Sequence, residues 1–315
     1  MASKKKLIFG ILKFIISGAL IFWILRGTNF GDILTAMETA TIPLLLVAFC
    51  LHFVGHYISA LRWRLLLKAQ GVSAPLLFLI KSYMVGMFFN NLLPSIIGGD
   101  AVRAYDSWRV TDSKAKALAV VFVDRFLGIF ALVLFALAAV FFSPELTSHL
   151  PLLPVGITLG TALMSGITAF IFLPSPHILK SFGEIKLPLA NIFGSLIRKV
   201  TDPFMAFQGK QDALFGALWL SVLLQINVVI HYYLIAKALS FPIPFHTFFL
   251  IIPLATFIMM LPISIGGIGV RESTFAFFFA TYGVSKPEAV AFAWIAYGIV
   301  LIHGLLGGVM YALRK

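Results

Sequence analysis

The sequence predicts an all-α polytopic membrane protein made of two inverted repeats, each with a re-entrant helical hairpin. Three observations carry that expectation. Hydrophobic residues make up 60% of the 315 and charged residues 11%, and the mean hydropathy is +1.01; a soluble domain of this length needs far more polar surface. Apolar runs long enough to cross a bilayer recur along the chain. Finally, LPSIIGGDAVR at 93–103 returns as LPISIGGIGVR at 261–271, with seven of eleven positions agreeing at an offset of 168. Matched Pro/Gly interruptions of apolar segments in corresponding halves are the mark of a transporter-like fold built from internal repeats.

The elements follow in order, within a single integral membrane domain over 1–315. Region 1–41 holds a first span and an external loop. Lys4, Lys5 and Lys6 lead into an apolar run at 7–25 that lacks a small-residue cleavage site, so it reads as a retained span and not a signal peptide. Repeat one, 42–142, contains full spans at 42–61 and 118–142; repeat two, 213–315, contains them at 213–236 and 288–312. Between them, 143–212 holds a span at 152–173 and a polar linker at 177–212. In the linker Ile192, Phe193, Leu196, Ile197, Val200 and Phe204 recur at helical spacing, as expected for an amphipathic helix in the cytoplasmic interface.

The weaker apolar segments at 76–93 and 244–261 each run into a Leu-Pro-x-x-x-Gly-Gly signature and are followed by short segments at 100–110 and 270–282. Broken helices at membrane depth are tolerated where they are buried in protein or face a wet cavity, so both pairs read as re-entrant hairpins. That layout places Arg62, Arg64, Lys68, Arg103, Arg109 and the linker lysines on the side of both termini, and positive charge collects in the cytoplasm. Full crossing by every weak segment would preserve the inversion. The net charge of +12 flanks apolar runs and is not gathered into a polar domain, which suits anionic headgroups and excludes a nucleic-acid interface. The single cysteine, Cys50, rules out an internal disulfide and reads as core.

The chemistry concentrates at the signatures. Gly98, Gly99, Gly266, Gly267 and Gly269 allow close backbone approach, and a helix starting just after them directs N–H groups at an anion. Arg103 and Arg271 add a planar fork suited to phosphate or carboxylate; the alternative pairs them with Asp100 and Glu272. Pro94 and Pro262 interrupt the two segments. Asn90 and Asn91 precede the first copy where Met259 and Met260 precede the second. Asp124 and Arg125 lie within a span, where ionisable groups are costly and mark function, and they are expected to pair mutually or across the repeats. Asp100, Asp124, Arg125 and Glu272 are the candidates for ion or proton coupling. His52 and His56, four apart, lack the acids or thiols of a metal site and read, like His303, as an interior hydrogen-bonded face. Lys13 and Lys81 read as interfacial snorkellers. No phosphate-binding loop, G-x-S-x-G or H-E-x-x-H is present, and no cofactor or metal is expected.

With NNLLPSIIGGDAVRAY, LPISIGGIGVRE and Arg62-Trp63-Arg64 in view, nearly the whole chain resembles the flippase-like membrane domain of the lysylphosphatidylglycerol synthase (MprF-type, UPF0104) family. The resemblance implies movement of an anionic or aminoacylated phospholipid, or a lipid-linked precursor, across the cytoplasmic membrane. Bifunctional members carry a soluble aminoacyl-transferase domain. With Lys315 three residues past the last span, that half is expected to be absent, which argues against lysyl transfer. Membrane lipid is the expected substrate. Asn90, Asn91, Pro94, Gly98, Gly99, Asp100 and Arg103 would form one half of its site, and Pro262, Gly266, Gly267, Gly269, Arg271 and Glu272 the other. A separate lipid-modifying transferase and a second copy of the chain are the allowed partners, and an intramembrane enzyme, or a subunit of such a transferase, is the alternative.

Overall fold

A computed structural model describes residues 15, 18–26, 29–92, 97–111, 113–149, 152–172, 206–261, 263–264 and 266–314. Most of the first span, most of the amphipathic linker, and Pro94, Ser95 and Pro262 lie outside the described residues. Every regular element among the described residues is helical: α1 (Phe30–Glu38), α2 (Ile42–Ala69), α3 (Leu76–Leu92), α4 (Ile97–Thr111), α5 (Lys114–Val140), α6 (Pro144–His149), α7 (Leu153–Phe172), α8 (Gln211–Ala238), a 3-10 turn (Phe245–Thr247) leading into α9 (Phe248–Met260), α10 (Val270–Ala280) and α11 (Lys286–Ala312). By length and composition, four of them, α2, α5, α8 and α11, can cross a membrane.

The order long, short, short, long occurs twice, as α2 to α5 and as α8 to α11, and local signals set the same boundaries in both. Helix α2 begins with Pro43 in its first turn, where the missing N–H costs nothing. It ends in a Schellman cap: Gly71 adopts φ +79° while the Val72 N–H bonds the Leu67 carbonyl and the Gly71 N–H the Lys68 carbonyl. Helix α8 ends the same way, with Ser240 at φ 60° and bonds from Phe241 to Ala236 and from Ser240 to Lys237. Ser113 caps α5. At the start of α11, Glu288 accepts from the Ser285 N–H at 2.8 Å.

Helices α2 and α8 form the centre. Thr41 donates its N–H to the Ala238 carbonyl, His231 meets the Ala48 carbonyl, Gly55 faces Asn227, and Arg62 reaches Ser221; positions rise along one helix as they fall along the other, so the two run antiparallel. The short pairs are antiparallel hairpins as well. Ser82 donates to Asp106 and Gly86 abuts Gly99 in the first; the Phe248 and Phe279 rings lie tilted to each other in the second, centroids 6.1 Å apart. Helix α11 presses on α3 through Gly304, Gly307 and Gly308, where an added Cβ would run into Asn91, the Met84 carbonyl and the Phe88 ring respectively. Small residues at such seams let backbones approach where lipid supplies no hydrophobic drive for helix pairing.

Two apolar clusters fill the halves. Trp63, Leu66, Leu67, Leu79, Val120, Val123 and Leu127 pack the first, and Phe248, Phe275, Phe279 and Phe292 anchor the second. Large apolar side chains such as Leu46, Phe142, Leu163, Trp219 and Leu305 point outward, as lipid-facing surfaces do. Two expectations need correction. Cys50 is exposed and not core, because it falls on the outward face of α2. Arg62 is no loop charge beyond a span ending at 61: α2 continues to Ala69 and turns Arg62 inward, 5% exposed.

Candidate functional site

Six side chains from four helices form a continuous polar path through the first half. Arg62 on α2 grips Asp124 on α5 with two bonds, Nε to Oδ1 at 2.6 Å and Nη2 to Oδ2 at 3.1 Å. Its Nη1 donates to the Ser221 hydroxyl on α8 at 2.8 Å. Arg103 on α4 donates to Asp124 Oδ2 at 2.7 Å, and its Nη1 lies 3.7 Å from Asp100. Arg125 in turn donates to Asp100, the closest approach being 2.8 Å. A buried ion pair is stable only when its remaining donors and acceptors are also satisfied, and the bidentate geometry of Arg62 achieves that for Asp124. The Arg103 guanidinium is held between aromatic rings as well, 4.3 Å from the centroid of Tyr83 and 5.0 Å from that of Trp63.

Of the pairings weighed from the sequence, Arg103 with Asp100 forms, while Asp124 with Arg125 and Arg271 with Glu272 do not. Asp124 and Arg125 are adjacent in sequence but point to different partners, since neighbours on a helix project about 100° apart and do not face each other. Arg103 takes Asp124 as its close partner and Asp100 only as a distant one. Arg271 does not pair with Glu272: its Nη2 donates to the Gly266 carbonyl at 2.9 Å and its guanidinium covers the Tyr297 ring at 4.0 Å. Glu272 caps its own helix by accepting the Gly269 N–H at 2.7 Å.

Beside this network lies a cavity of about 300 Å³ between α2, α3, α4, α5 and α8. Asn90, Gly99, Asp100, Arg103 and Arg125 line it together with His52, His56, Asn227 and His231. Gly98 is buried beside it. Asn90 accepts the Gly99 N–H at 2.7 Å, so the neighbouring helix, and not a ligand, satisfies that donor at the start of α4. Asn91 points away and donates to the Val300 carbonyl on α11 at 3.3 Å. None of Gly266, Gly267, Gly269, Arg271 and Glu272 lines the cavity; the second signature forms a separate cluster in which the three glycines hold φ between 60° and 79°.

The charge count is unequal. Arg62, Arg103 and Arg125 supply three positive charges against two from Asp100 and Asp124, leaving one positive charge uncompensated next to the cavity. Arg103 Nε and the Nε2 atoms of His52 and His56 are buried with no hydrogen-bond partner. Unsatisfied polar atoms of this kind are expensive in a folded chain, and the residues that carry them line an open volume.

Residue-by-residue reading of the sequence missed Arg62, Tyr83, Ser221, Asn227 and His231. Polar and ionisable types inside spans 42–61 and 213–236 were the available signal; Arg62 was masked by its position at a span end. The four imidazoles of His52, His56, His231 and His303 meet, with ring centroids 4.8 to 5.8 Å apart, although the chain separates them by up to 251 positions. No three His, Cys, Asp or Glu side chains among the described residues are set to hold a metal.

The family model described as "Lysylphosphatidylglycerol synthase TM region" matches residues 10–308. A UPF0104 membrane protein of Methanothermobacter thermautotrophicus is 26% identical over 291 residues, covering 83% of this chain and 82% of that one. A UPF0104 membrane protein of Methanocaldococcus jannaschii is 30% identical over 115 residues, 36% of this chain and 34% of its own.

Proposed function

Because this chain belongs to the lysylphosphatidylglycerol synthase transmembrane-region family, we propose that it is a lipid flippase or transporter that carries an anionic or aminoacylated phospholipid, or a lipid-linked precursor, across the cytoplasmic membrane. The observation that carries this reading is the cavity at Arg103 and Arg125, with one uncompensated positive charge and an unpartnered guanidinium nitrogen. An anionic headgroup entering there would gain charge-assisted hydrogen bonds away from water, while its acyl chains stay in the hydrocarbon.

Movement across the bilayer requires the site to face each side in turn. Two inverted repeats supply that through near-equivalent opposite conformations; the antiparallel packing of α2 against α8 and the twice-used helix order support the inversion. In this mechanism the hairpins α3/α4 and α9/α10 are re-entrant, and their signature segments, with Gly98, Gly99 and Arg103 at the start of α4 and Gly266, Gly267, Gly269 and Arg271 at and just before the start of α10, serve opposite faces. Asn91 ties the first hairpin to α11. Asp100, Asp124, Arg125 and Glu272 would couple movement to ions or protons. Both termini lie in the cytoplasm. Chemistry at the headgroup is not part of this role, and a transferase that modifies the lipid would be a separate partner.

The test is reconstitution in liposomes with acyl-labelled lipids whose headgroups vary one at a time. Anionic lipids are expected to cross faster than in protein-free vesicles. Equal rates with and without protein for every headgroup would overturn the reading.

A further inference from the structure

The carboxylates named above for coupling are all engaged. Asp124 is gripped by Arg62 and Arg103, Asp100 pairs with Arg125 and Arg103, and Glu272 caps α10. A proton taken up by any of them displaces a bond already made. Four imidazoles are held differently. His52 and His56 on α2 line the cavity, with Nε2 atoms that are buried and have no hydrogen-bond partner. The His52 ring lies 4.8 Å from that of His56, 5.2 Å from that of His231 on α8 and 4.8 Å from that of His303 on α11, centroid to centroid. His231 and His303 each set Nδ1 against a backbone carbonyl, Ala48 at 2.8 Å and Ile299 at 2.9 Å. A carbonyl only accepts, so Nδ1 carries the hydrogen and the neutral ring keeps Nε2 as an acceptor. At His52 and His56 no bond through Nε2 is lost when the ring takes a proton.

The groups around the cluster are of two kinds. Tyr83 on α3 has its ring 6.5 Å from that of His56, and Tyr232 on α8 has its ring 5.0 Å from that of His231. The charged groups lining the same cavity are Asp100 and Arg103 on α4 and Arg125 on α5. Arg62 and Asp124 are closed into their own pair, and Arg271 on α10 covers Tyr297 and does not line the cavity. Tyr83 connects the histidines to the arginines: the Arg103 guanidinium lies 4.3 Å from its ring centroid, and its hydroxyl donates to Asp124 at 3.4 Å.

We propose that His52 and His56, backed by His231 and His303, form a proton-binding site linked to the anion site, so that one proton enters the cavity with each anionic headgroup. The inference rests on the anion site proposed above and narrows its coupling: the proton sits on the histidines, while the carboxylates hold Arg103 and Arg125 at the cavity. Charge explains the linkage. The empty cavity is bordered by one surplus positive charge; a proton adds to it, and a singly charged anion offsets it. Anion and proton therefore strengthen each other's binding by the same factor. Two protons on rings in contact would repel, so the cluster holds one. With both ligands in place the net charge equals that of the empty cavity, and a headgroup carried with its proton moves no net charge across the bilayer.

The experiment is titration calorimetry on the full-length protein in detergent, with dihexanoylphosphatidylmethanol as the probe and dihexanoylphosphatidylcholine as the zwitterionic control. The probe keeps a single negative charge over the range in which imidazole titrates, about pH 5 to 8. Runs in buffers of different ionisation heat count the protons taken up on binding. The expected result is close to one proton per phosphatidylmethanol over part of that range, with affinity falling about tenfold per pH unit as pH rises there. His52→Gln combined with His56→Gln keeps polar side chains with nothing to titrate, and should bind the probe without proton uptake. Binding of phosphatidylmethanol over phosphatidylcholine with no proton taken up at any pH in the range overturns the proton site and leaves the anion site standing. Full uptake retained by the double variant overturns it too; where only the single variants fold, unchanged uptake in both does the same. No preference for phosphatidylmethanol over phosphatidylcholine overturns both sites. Proton-linked binding with no transbilayer movement in liposomes overturns the transport reading and leaves the proton site intact.

Discussion

Asp124 and Arg103 hold different shares of one network, and their variants should separate accordingly. Asp124 is the shared counter-ion of two buried guanidiniums, Arg62 and Arg103. Asp124→Asn leaves both charged and short of a counter-ion, and breaking a buried pair in this way costs about 3–5 kcal/mol; the expected readout is a large fall in the thermal unfolding midpoint of the purified protein. Arg103→Ala, by contrast, leaves Asp124 gripped by Arg62, so the fold should persist while lipid movement is lost. Arg103→Lys should rescue only in part, since an ammonium cannot reproduce the fork. Loss of a charge-assisted contact to an anion is worth roughly 1.5–3 kcal/mol, or one to two decades in affinity. An Arg103→Ala protein that moves lipid at the parental rate would remove Arg103 from the substrate site.

At the scale of elements, the seam between α3 and α11 depends on glycines with no room for a side chain. A Cβ at Gly307 would collide with the Met84 backbone carbonyl, whereas one at Gly298, on the same helix, meets nothing within 4 Å. Gly307→Ala should therefore destabilise by roughly 1–3 kcal/mol through forced backbone shifts, and Gly298→Ala should stabilise by up to about 1 kcal/mol through helix propensity. Paired melting curves in one detergent check both, and a neutral Gly307→Ala would show that the seam opens easily. The same seam carries the Asn91 bond to Val300 and lies next to the grip of Arg314 on Asp106 at 2.9 Å. Helix α11 of the second half thereby fastens the hairpin of the first.

For the whole molecule the decisive property is sidedness. With α2 and α8 antiparallel, the turns that follow α3 and α9 should face opposite sides of the membrane. Cysteines introduced singly at Ser95 and Ser264 are expected to react with membrane-impermeant reagents from opposite sides, and one at position 195 from the cytoplasm. Cys50 is first replaced by Ala, so that the introduced thiol is the only one in the chain. Labelling of Ser95 and Ser264 from one side would end the inverted-repeat reading.

Membrane residence, the helical class, the twofold order of elements and the second Gly-Gly turn follow from the sequence by itself; the first Gly-Gly pair lies inside α4. They rest on local properties: apolar run length, Pro and Gly punctuation, and a motif repeated at a fixed offset. The first signature's place at the cavity was legible too, through Asn90, Gly99, Asp100 and Arg103. What only the tertiary structure decided is partnership. Arg62 to Asp124, Arg125 to Asp100, and four histidines drawn from three helices are pairings between positions tens to hundreds of residues apart, and a helix's periodicity reports which face a residue occupies but not which helix that face meets. The division of the two signatures, one with its Gly-Gly pair inside α4 beside a charged cavity and the other with Gly266, Gly267 and Gly269 at positive φ and Arg271 over Tyr297, is likewise invisible in motifs that agree at seven of eleven positions, because the packing around each segment, and not its own residues, determines what its arginine meets.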